Sequence, residues 1–135
     1  MTDPLAAALR RFPIHLGKGA VASFQEEFTG DPAWYERYSE RNADDGADGW
    51  LVSYGTFTEP WTVWEMHPNG HEIVFCTEGE MTLTQEHVDG SIDEVHLEEG
   101  DAAINPPGTW HTADVDGPAT CLFVTAGLGT EHRPR

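Results

Sequence analysis

Apolar and polar positions alternate along most of the chain after residue 50, with the two-residue period of half-buried β-strands. These segments are rich in aromatic and β-branched residues, and Gly, Pro, Asn or Asp separates one from the next. The pattern predicts eight strands, at residues 51–57, 61–67, 73–76, 81–86, 92–97, 102–104, 110–115 and 120–125. Short strands at such regular spacing are typical of an all-β sandwich or small barrel.

The first 49 residues follow a different pattern. An Ala- and Leu-rich segment over residues 4–12 ends at Pro13 and predicts a short helix. An Asp-Pro start signal opens residues 31–48 and predicts a second short helix, followed by an Asp- and Gly-rich loop over 42–49. We expect three parts: an N-terminal extension with short helices over 1–49 that packs on the barrel or on a dimer partner, a barrel over 50–130, and a tail over 131–135.

Charge narrows the range of partners. The chain has 24 Asp and Glu against 7 Lys and Arg, a formal net charge of −17 at pH 7. Between Arg41 and Arg133 there is no Lys or Arg, while 18 acidic residues lie in that stretch. Because phosphate groups are bound by clustered Lys and Arg, we expect neither nucleic acid nor a membrane as partner. A site in this stretch would suit a small-molecule ligand that is neutral or chelates a metal.

Two cysteines, Cys76 and Cys121, lie in apolar strand-like segments without Cys-x-x-Cys spacing. No signal peptide or long apolar span is visible in the sequence. We therefore expect buried free thiols in a cytoplasmic protein. The alternative is a disulfide that joins two core strands.

Histidine and carboxylate residues of two segments share strand faces. Alternation places Glu65 and His67 on one face, and Glu72 begins the next strand after a Pro-Asn-Gly turn. His111 lies on a later strand, and these four side chains converge if the strands are neighbours and the faces point inward. Two imidazoles with one or two carboxylates form a credible ligand set for Fe(II), Mn(II), Ni(II) or Zn(II). By the same alternation, His71 faces away from the Glu72 side.

These segments match two motifs that together resemble the cupin superfamily. In the first motif, four residues separate His67 from Glu72, and six more lead to Gly79. The second motif is matched at every spacing by Gly100, Pro106, Gly108 and His111. The resemblance spans roughly residues 56–126. It implies a double-stranded β-helix, the jelly-roll cupin barrel, here preceded by short N-terminal helical segments, with a metal at the open end of the barrel.

The resemblance implies one divalent transition metal (Fe, Mn, Ni or Zn) held by Glu65, His67, Glu72 and His111. The chain departs from the family pattern, because Glu65 stands where the family has its first histidine. Glu65 is then either a direct ligand or a carboxylate that orients a histidine. His71 could replace the missing imidazole if the preceding turn bends it inward. A barrel that has lost its metal, with His67 and His111 as ordinary core histidines, is the remaining alternative.

These observations predict a small metal-binding cupin that acts as a metalloenzyme of the dioxygenase or isomerase type. The alternative is a non-catalytic module that binds a metal or a small ligand. We also expect a homodimer that pairs through its sheets, with the aromatic-rich N-terminal part as the contact surface. The other histidines are expected to be ordinary surface residues: His15, His87, His96 and His132.

Overall fold

The computed structural model describes residues 7–135. It contains a helix, α1 (Pro32–Arg41), and a short 3₁₀ helix (Ala43–Asp48). The strands of this part of the chain are β1 (Ile14–Gly17), β2 (Val21–Phe24), β3 (Trp50–Phe57), β4 (Val63–Met66), β5 (Glu72–Glu78), β6 (Met81–Glu86), β7 (Ile92–Leu97), β8 (Ala102–Asn105), β9 (Trp110–Asp114), β10 (Ala119–Thr125) and β11 (Glu131–Pro134). No helix in the described range is long and apolar enough to cross a membrane.

Two antiparallel sheets form the barrel. One has the strand order β2-β1-β3-β10-β5-β8, and the other has the order β11-β4-β9-β6-β7. Strands that are distant in sequence are neighbours in both sheets, as in β10 between β3 and β5, or β9 between β4 and β6. The predicted all-β jelly roll with a short N-terminal helical segment is confirmed.

The eight predicted strands all occur, with ends that differ by one or a few residues. The sequence pattern did not indicate β1, β2 or β11. Each of these strands has only four residues, which is too short for an alternation to stand out. They extend the edges of the sheets, since β1 pairs with both β2 and β3, and β11 pairs with β4.

The N-terminal part partly differs from the sequence prediction. Helix α1 begins as expected, because the Asp31 side chain accepts a hydrogen bond from the Trp34 N–H at 2.8 Å and Pro32 fills the first turn. Residues 42–49 were predicted as a loop but contain the 3₁₀ helix, broken at Gly46. The helix predicted over 4–12 lies partly outside the described residues, and its described portion makes a single turn closed by hydrogen bonds to the Ala8 carbonyl.

The aromatic residues of α1 pack within the chain. Trp34 is fully buried, stacks on Tyr38 at a centroid distance of 5.5 Å and meets Phe28 edge-on at 4.8 Å. Its indole N–H donates to the Glu26 carbonyl. Trp34 therefore attaches α1 to the segment that follows β2.

His15 was expected on the surface and is instead buried, with 4% of its surface exposed. Its Nδ1 lies 2.7 Å from the Tyr38 hydroxyl, and its Nε2 lies 2.6 Å from Asp45 Oδ2. The imidazole thus joins β1 to both helical segments. A single histidine in a short strand gives no sign of this role, because both partners come from residues more than twenty positions away.

The core fills one end of the barrel. It is formed by the inward residues of β5, β6, β9 and β10, together with neighbours: Val74, Cys76, Met81, Leu83, Leu97, Ala103, Ala113, Val115, Ala119, Cys121 and Phe123. Burial of a side chain of Val or Leu size contributes about 1.5–3 kcal/mol. Cys76 and Cys121 are cross-strand partners, and both are buried free thiols, as predicted.

Candidate metal centre

A layer of polar side chains lies next to this apolar core, on the same inward faces of the strands. Along β5 the inward residues change from Glu72 to Val74 to Cys76, and along β6 from Gln85 to Leu83. The layer consists of Glu72 on β5, Gln85 on β6, Asn105 on β8, His111 on β9 and Thr125 on β10, joined by His67 just after β4. Strand alternation therefore places all the inward polar groups at one end of the barrel.

Glu72 is the centre of the layer and is 3% exposed. Thr125 Oγ1 donates to its Oε2 at 2.6 Å, and Asn105 Nδ2 donates to its Oε1 at 3.0 Å. Asn105 is itself oriented, because Gln85 Nε2 donates to its Oδ1 at 2.8 Å. This network fixes the position of the carboxylate and satisfies oxygens that would be costly to bury alone.

Two imidazoles face the Glu72 carboxylate. His111 Nε2 lies 3.1 Å from Glu72 Oε1, and His67 Nε2 lies 3.3 Å from Glu72 Oε2. Burial opposes ionisation of Glu72, but the favourable interactions with His111 and His67 outweigh it and hold the pKa of this carboxyl well below its usual range. Burial lowers the pKa of His111, but the effects of Glu72, Glu65 and the Thr109 carbonyl together outweigh it, so the net shift is upward.

The δ nitrogens of both histidines are occupied. His67 Nδ1 lies 2.7 Å from Thr130 Oγ1, and the Thr130 hydroxyl donates its own proton to the Gly127 carbonyl. His111 Nδ1 lies 3.2 Å from the Thr109 carbonyl, which can only accept. Both Nδ1 atoms therefore act as donors, and in the neutral rings the Nε2 atoms carry the lone pairs that face the site.

The ε nitrogens of His67 and His111 are buried and have no hydrogen-bond partner in correct geometry among residues 7–135. Both atoms lie close to Glu72, but neither contact has the direction of a hydrogen bond. Buried polar atoms without partners are rare, and each requires an explanation. A divalent cation between the two Nε2 atoms and the carboxylate fits this donor set, because imidazole and carboxylate are the common ligands of first-row metals.

Glu65 lies on β4 directly opposite His111, at the outer side of the layer. Its Oε1 is 3.7 Å from His67 Nε2, and its side chain is 26% exposed. Burial and the negative charge of Glu72 raise the pKa of Glu65. Glu65, His67 and His111 each present one donor atom, and all three atoms lie within 4.8 Å of one another. The structure thus brings together all four side chains that the sequence selected.

His71 is not part of this cluster. Its side chain is exposed, and its backbone carbonyl accepts a hydrogen bond from the Ala126 N–H at 3.0 Å. The turn over residues 68–70 does not bend the imidazole inward, so alternation decides its direction. The idea that His71 replaces the family's missing histidine is therefore not supported by its position.

Two residues near the site were missed by the sequence analysis. His132, expected to be an ordinary surface residue of the tail, lies on β11 with its Nε2 3.8 Å from Glu65 Oε1. Tyr35 on α1 is 44% exposed, and partial burial, with smaller effects of the charges on Glu65 and Glu72, raises its pKa to about 12. Neither could be found from a motif, since both come from segments outside the two matched ones.

A second group of possible donors lies on the surface at the other end of the barrel strands. Glu80, His96 and Glu98 also present donor atoms within 4.8 Å of one another, but all three side chains are exposed. His96 Nδ1 lies 3.1 Å from the Thr82 hydroxyl, and its Nε2 lies 3.7 Å from Glu80. This group differs from the polar layer in having no buried atom without a partner.

Comparison with known families and structures agrees with the architecture. The family model for the cupin domain (Cupin_2) matches residues 51–126. The chain therefore belongs to the cupin family, and residues 51–126 contain all four side chains that the sequence selected. No curated protein sequence matches the chain.

Solved structures with the same fold are distant in sequence. Peruvianin-I, described as a cysteine peptidase from Thevetia peruviana latex, is 23% identical with a TM-score of 0.53 over 63% of this chain and 56% of its own. Oxalate decarboxylase is 20% identical with a TM-score of 0.54 over 71% of this chain and 26% of its own. Hydroquinone 1,2-dioxygenase from Sphingomonas sp. TTNP3 is 13% identical with a TM-score of 0.50 over 58% and 61%.

The matches span only part of the length of these three proteins, between about a quarter and three fifths. At such low identity the comparison shows a shared fold and no more. These neighbours also illustrate that one fold serves different reactions, so function must be argued from the site of this chain.

Proposed function

We propose that this protein is a metal-dependent enzyme of the dioxygenase or isomerase type, acting on a neutral or chelating small molecule. One divalent transition metal (Fe, Mn, Ni or Zn) would be held by His67, His111 and Glu72, with Glu65 as a further ligand. The observation that carries the proposal is the pair of buried ε nitrogens without partners, both directed at one carboxylate. An oxalate oxidase and a hydroquinone 1,2-dioxygenase among the fold neighbours agree with a reaction of this type.

The chain's own groups are arranged for such chemistry. A divalent ion bound here would polarise substrate oxygens as a Lewis acid and leave positions open for substrate or oxygen. Thr130 and the Thr109 carbonyl keep both imidazoles in the tautomer that presents Nε2. Asn105 and Thr125 orient the Glu72 carboxylate. In the alternative arrangement, in which Glu65 does not bind the ion, its partly exposed carboxyl group with a raised pKa would accept or donate a proton.

The substrate class follows from charge. Arg133, on the strand next to Glu65, faces away from the site, because its guanidinium lies against the rings of Trp64 and Trp110 and pairs with Glu86. The barrel segment before it has no Lys or Arg. A substrate with several negative charges would thus meet two carboxylates, and among residues 7–135 no Lys or Arg side chain is shown to face the site. A neutral compound, or one with adjacent oxygens that chelate a metal, suits the site better.

The test is metal content and reactivity of the purified chain. We expect near-stoichiometric Fe, Mn, Ni or Zn by plasma mass spectrometry, lost in His67→Ala and in His111→Ala. His96→Ala is the matched control, since it removes an imidazole from the exposed group and should leave the metal in place. The metal-loaded protein is then screened for oxygen uptake and isomerisation with neutral diols, phenols and diketones.

Two results would change the proposal. If the protein binds a metal but no compound is converted, the non-catalytic binding module becomes the better description. If no metal binds after reconstitution with Fe(II), Mn(II), Ni(II) and Zn(II), the metal centre itself is refuted, and a ligand-binding or structural barrel remains.

We also propose a cytoplasmic homodimer. Two buried free thiols suit a reducing compartment. The outer face of the β2-β1-β3-β10-β5-β8 sheet carries a shallow apolar depression lined by Leu9, Tyr54, Phe75 and Leu122, and Ile104 is 57% exposed on β8. Sedimentation equilibrium tests the dimer, and Ile104→Glu should shift a real sheet-to-sheet dimer to monomer.

A further inference from the structure

A row of potential donors crosses three neighbouring strands. His132 on β11 pairs with Glu65 on β4, and Glu65 pairs with His111 on β9. Direct cross-strand partners have side chains on the same face of a sheet. His132 therefore faces the same side as Glu65 and His111, which is the side of the polar layer.

The backbone of His132 is held in this register from both sides. After it, the Arg133 guanidinium lies 4.9 Å from the Trp64 ring centre and 4.6 Å from that of Trp110, and it bonds Glu86 at 2.8 Å. Before it, the Thr130 hydroxyl contacts His67 Nδ1 at 2.7 Å. Because Arg133 points to the outer face, alternation turns the imidazole of His132 to the inner one.

Glu65 Oε1 lies between two imidazoles at nearly equal distances. His67 Nε2 is 3.7 Å away on the inner side, and His132 Nε2 is 3.8 Å away on the outer side. His132 Nε2 lies outside the group of donor atoms within 4.8 Å of one another, so its imidazole would have to move past the Glu65 carboxylate to bind the same ion with a bond of about 2.0–2.2 Å. The His132 side chain is 56% exposed and is free to make that movement at low cost.

We propose that His132 is a further metal ligand, which supplies a third imidazole from the C-terminal strand β11. This inference rests on the proposed metal centre. His132 would hold the ion from the outer side of the site, together with His67, His111 and the two carboxylates. A third nitrogen donor adds no charge, whereas Glu65 and Glu72 already balance a divalent ion. It favours nitrogen-preferring ions such as Ni(II), Cu(II) and Zn(II) over Mn(II).

Copper(II) is a suitable probe, because pulsed electron paramagnetic resonance counts the imidazoles bound to it. All proteins carry His96→Ala, so that the exposed group does not bind the probe. We expect three imidazoles in this background and two after His132→Ala, with copper and nickel affinity at least about tenfold weaker, since even loss of an outer partner costs that much. His71→Ala, an exposed imidazole next to Glu72, is the matched control and should retain three.

The outcomes are distinguishable. Two imidazoles in the background protein, with unchanged count and affinity after His132→Ala, would overturn the role of His132 and leave the metal centre standing. Absence of copper and nickel binding in the background protein would refute both proposals. Because His132 is exposed, its replacement should not affect folding, and equal melting temperatures of the metal-free proteins check this. His132→Gln should behave like His132→Ala.

Discussion

His67 Nδ1 lies 2.7 Å from the hydroxyl of Thr130, sixty-three residues later in the chain. The hydroxyl donates to the Gly127 carbonyl, so it can only accept from the imidazole. This contact connects the C-terminal segment to the polar layer. It also decides which nitrogen of His67 is available as a ligand, because a ring that donates through Nδ1 presents the lone pair of Nε2.

Thr130→Val should therefore weaken metal binding without unfolding the protein. The valine keeps the side-chain volume but removes the acceptor that fixes the His67 tautomer. We expect affinity for Zn(II) to fall about 10–100-fold, as for other partners that orient a ligand. Titration with a competing chelator measures it. Thr82→Val, which removes the hydroxyl beside the exposed His96, is the control, and an equal loss in both variants would contradict this role of Thr130.

Stability of the metal-free protein should depend on pH through Glu72 and His111. The lowered pKa of Glu72 means that its contribution is present above about pH 4.3 and is lost as the pH falls. The raised pKa of His111 means that its contribution is present below about pH 6.5 and is lost as the pH rises through the folded value. In the presence of chelator, the melting temperature should be highest between these limits.

Glu72→Gln tests the origin of that profile. The amide keeps the shape but cannot carry the charge that pairs with the imidazoles, so we expect a flatter profile and a loss of about 1.5–3 kcal/mol near pH 5.5. Thermal melts across pH 3–9 give the comparison. The assignment fails if the variant keeps the wild-type dependence on pH.

Tyr35 should report metal binding from a distance. Burial together with the charges of Glu65 and Glu72 raises its pKa to about 12. A divalent cation among those carboxylates counteracts their effect, so the pKa of Tyr35 should fall when Zn(II) binds. A pH titration followed by phenolate absorbance measures this pKa. The Tyr35→Phe variant shows which part of the absorbance change belongs to Tyr35 and which to Tyr38 and Tyr54. An unchanged titration after zinc loading would show that the phenol does not sense the site.

The apolar core should account for most of the stability. Leu83 is fully buried in the centre of β6, and Leu83→Ala should cost about 2–5 kcal/mol through lost burial and a cavity. Val88 is 83% exposed in the turn that follows, and Val88→Ala should change the unfolding free energy by less than about 0.5 kcal/mol. Urea unfolding of both variants measures the two changes. A similar loss of unfolding free energy in both would contradict the assignment of Leu83 to the core.

The sequence predicted the barrel well, because alternation over five to eight residues survives in any antiparallel sheet with one buried face. Strand parity is a local property and predicted that Glu65 and His67 share a face, whereas the approach of His111 to them was implied by the resemblance to the cupin motifs. Gly79 shows how a motif position follows from geometry. Its φ is 74°, and a Cβ there would overlap the Pro118 carbonyl, so only glycine fits.

The misses have a common physical cause. His15 is buried by Tyr38 and Asp45, and His132 reaches Glu65 only because β11 adds to the edge of a sheet. Both depend on contacts between distant segments, and their own strands are four residues long. Local patterns contain no information on which distant segment will cover a short edge strand, so the burial of His15 was not predicted. His132 is exposed, as expected, and only its contact with Glu65 was missed.

The most direct test of the metal centre is a crystal structure of the protein grown with Zn(II), with the ion located by anomalous scattering. We expect one strong peak in the polar layer, about 2.0–2.2 Å from the Nε2 atoms of both His67 and His111 and bound by Glu72. A peak confined to the exposed Glu80, His96 and Glu98 group would contradict the account. So would an empty polar layer at saturating zinc, with both imidazoles hydrogen-bonded to Glu72.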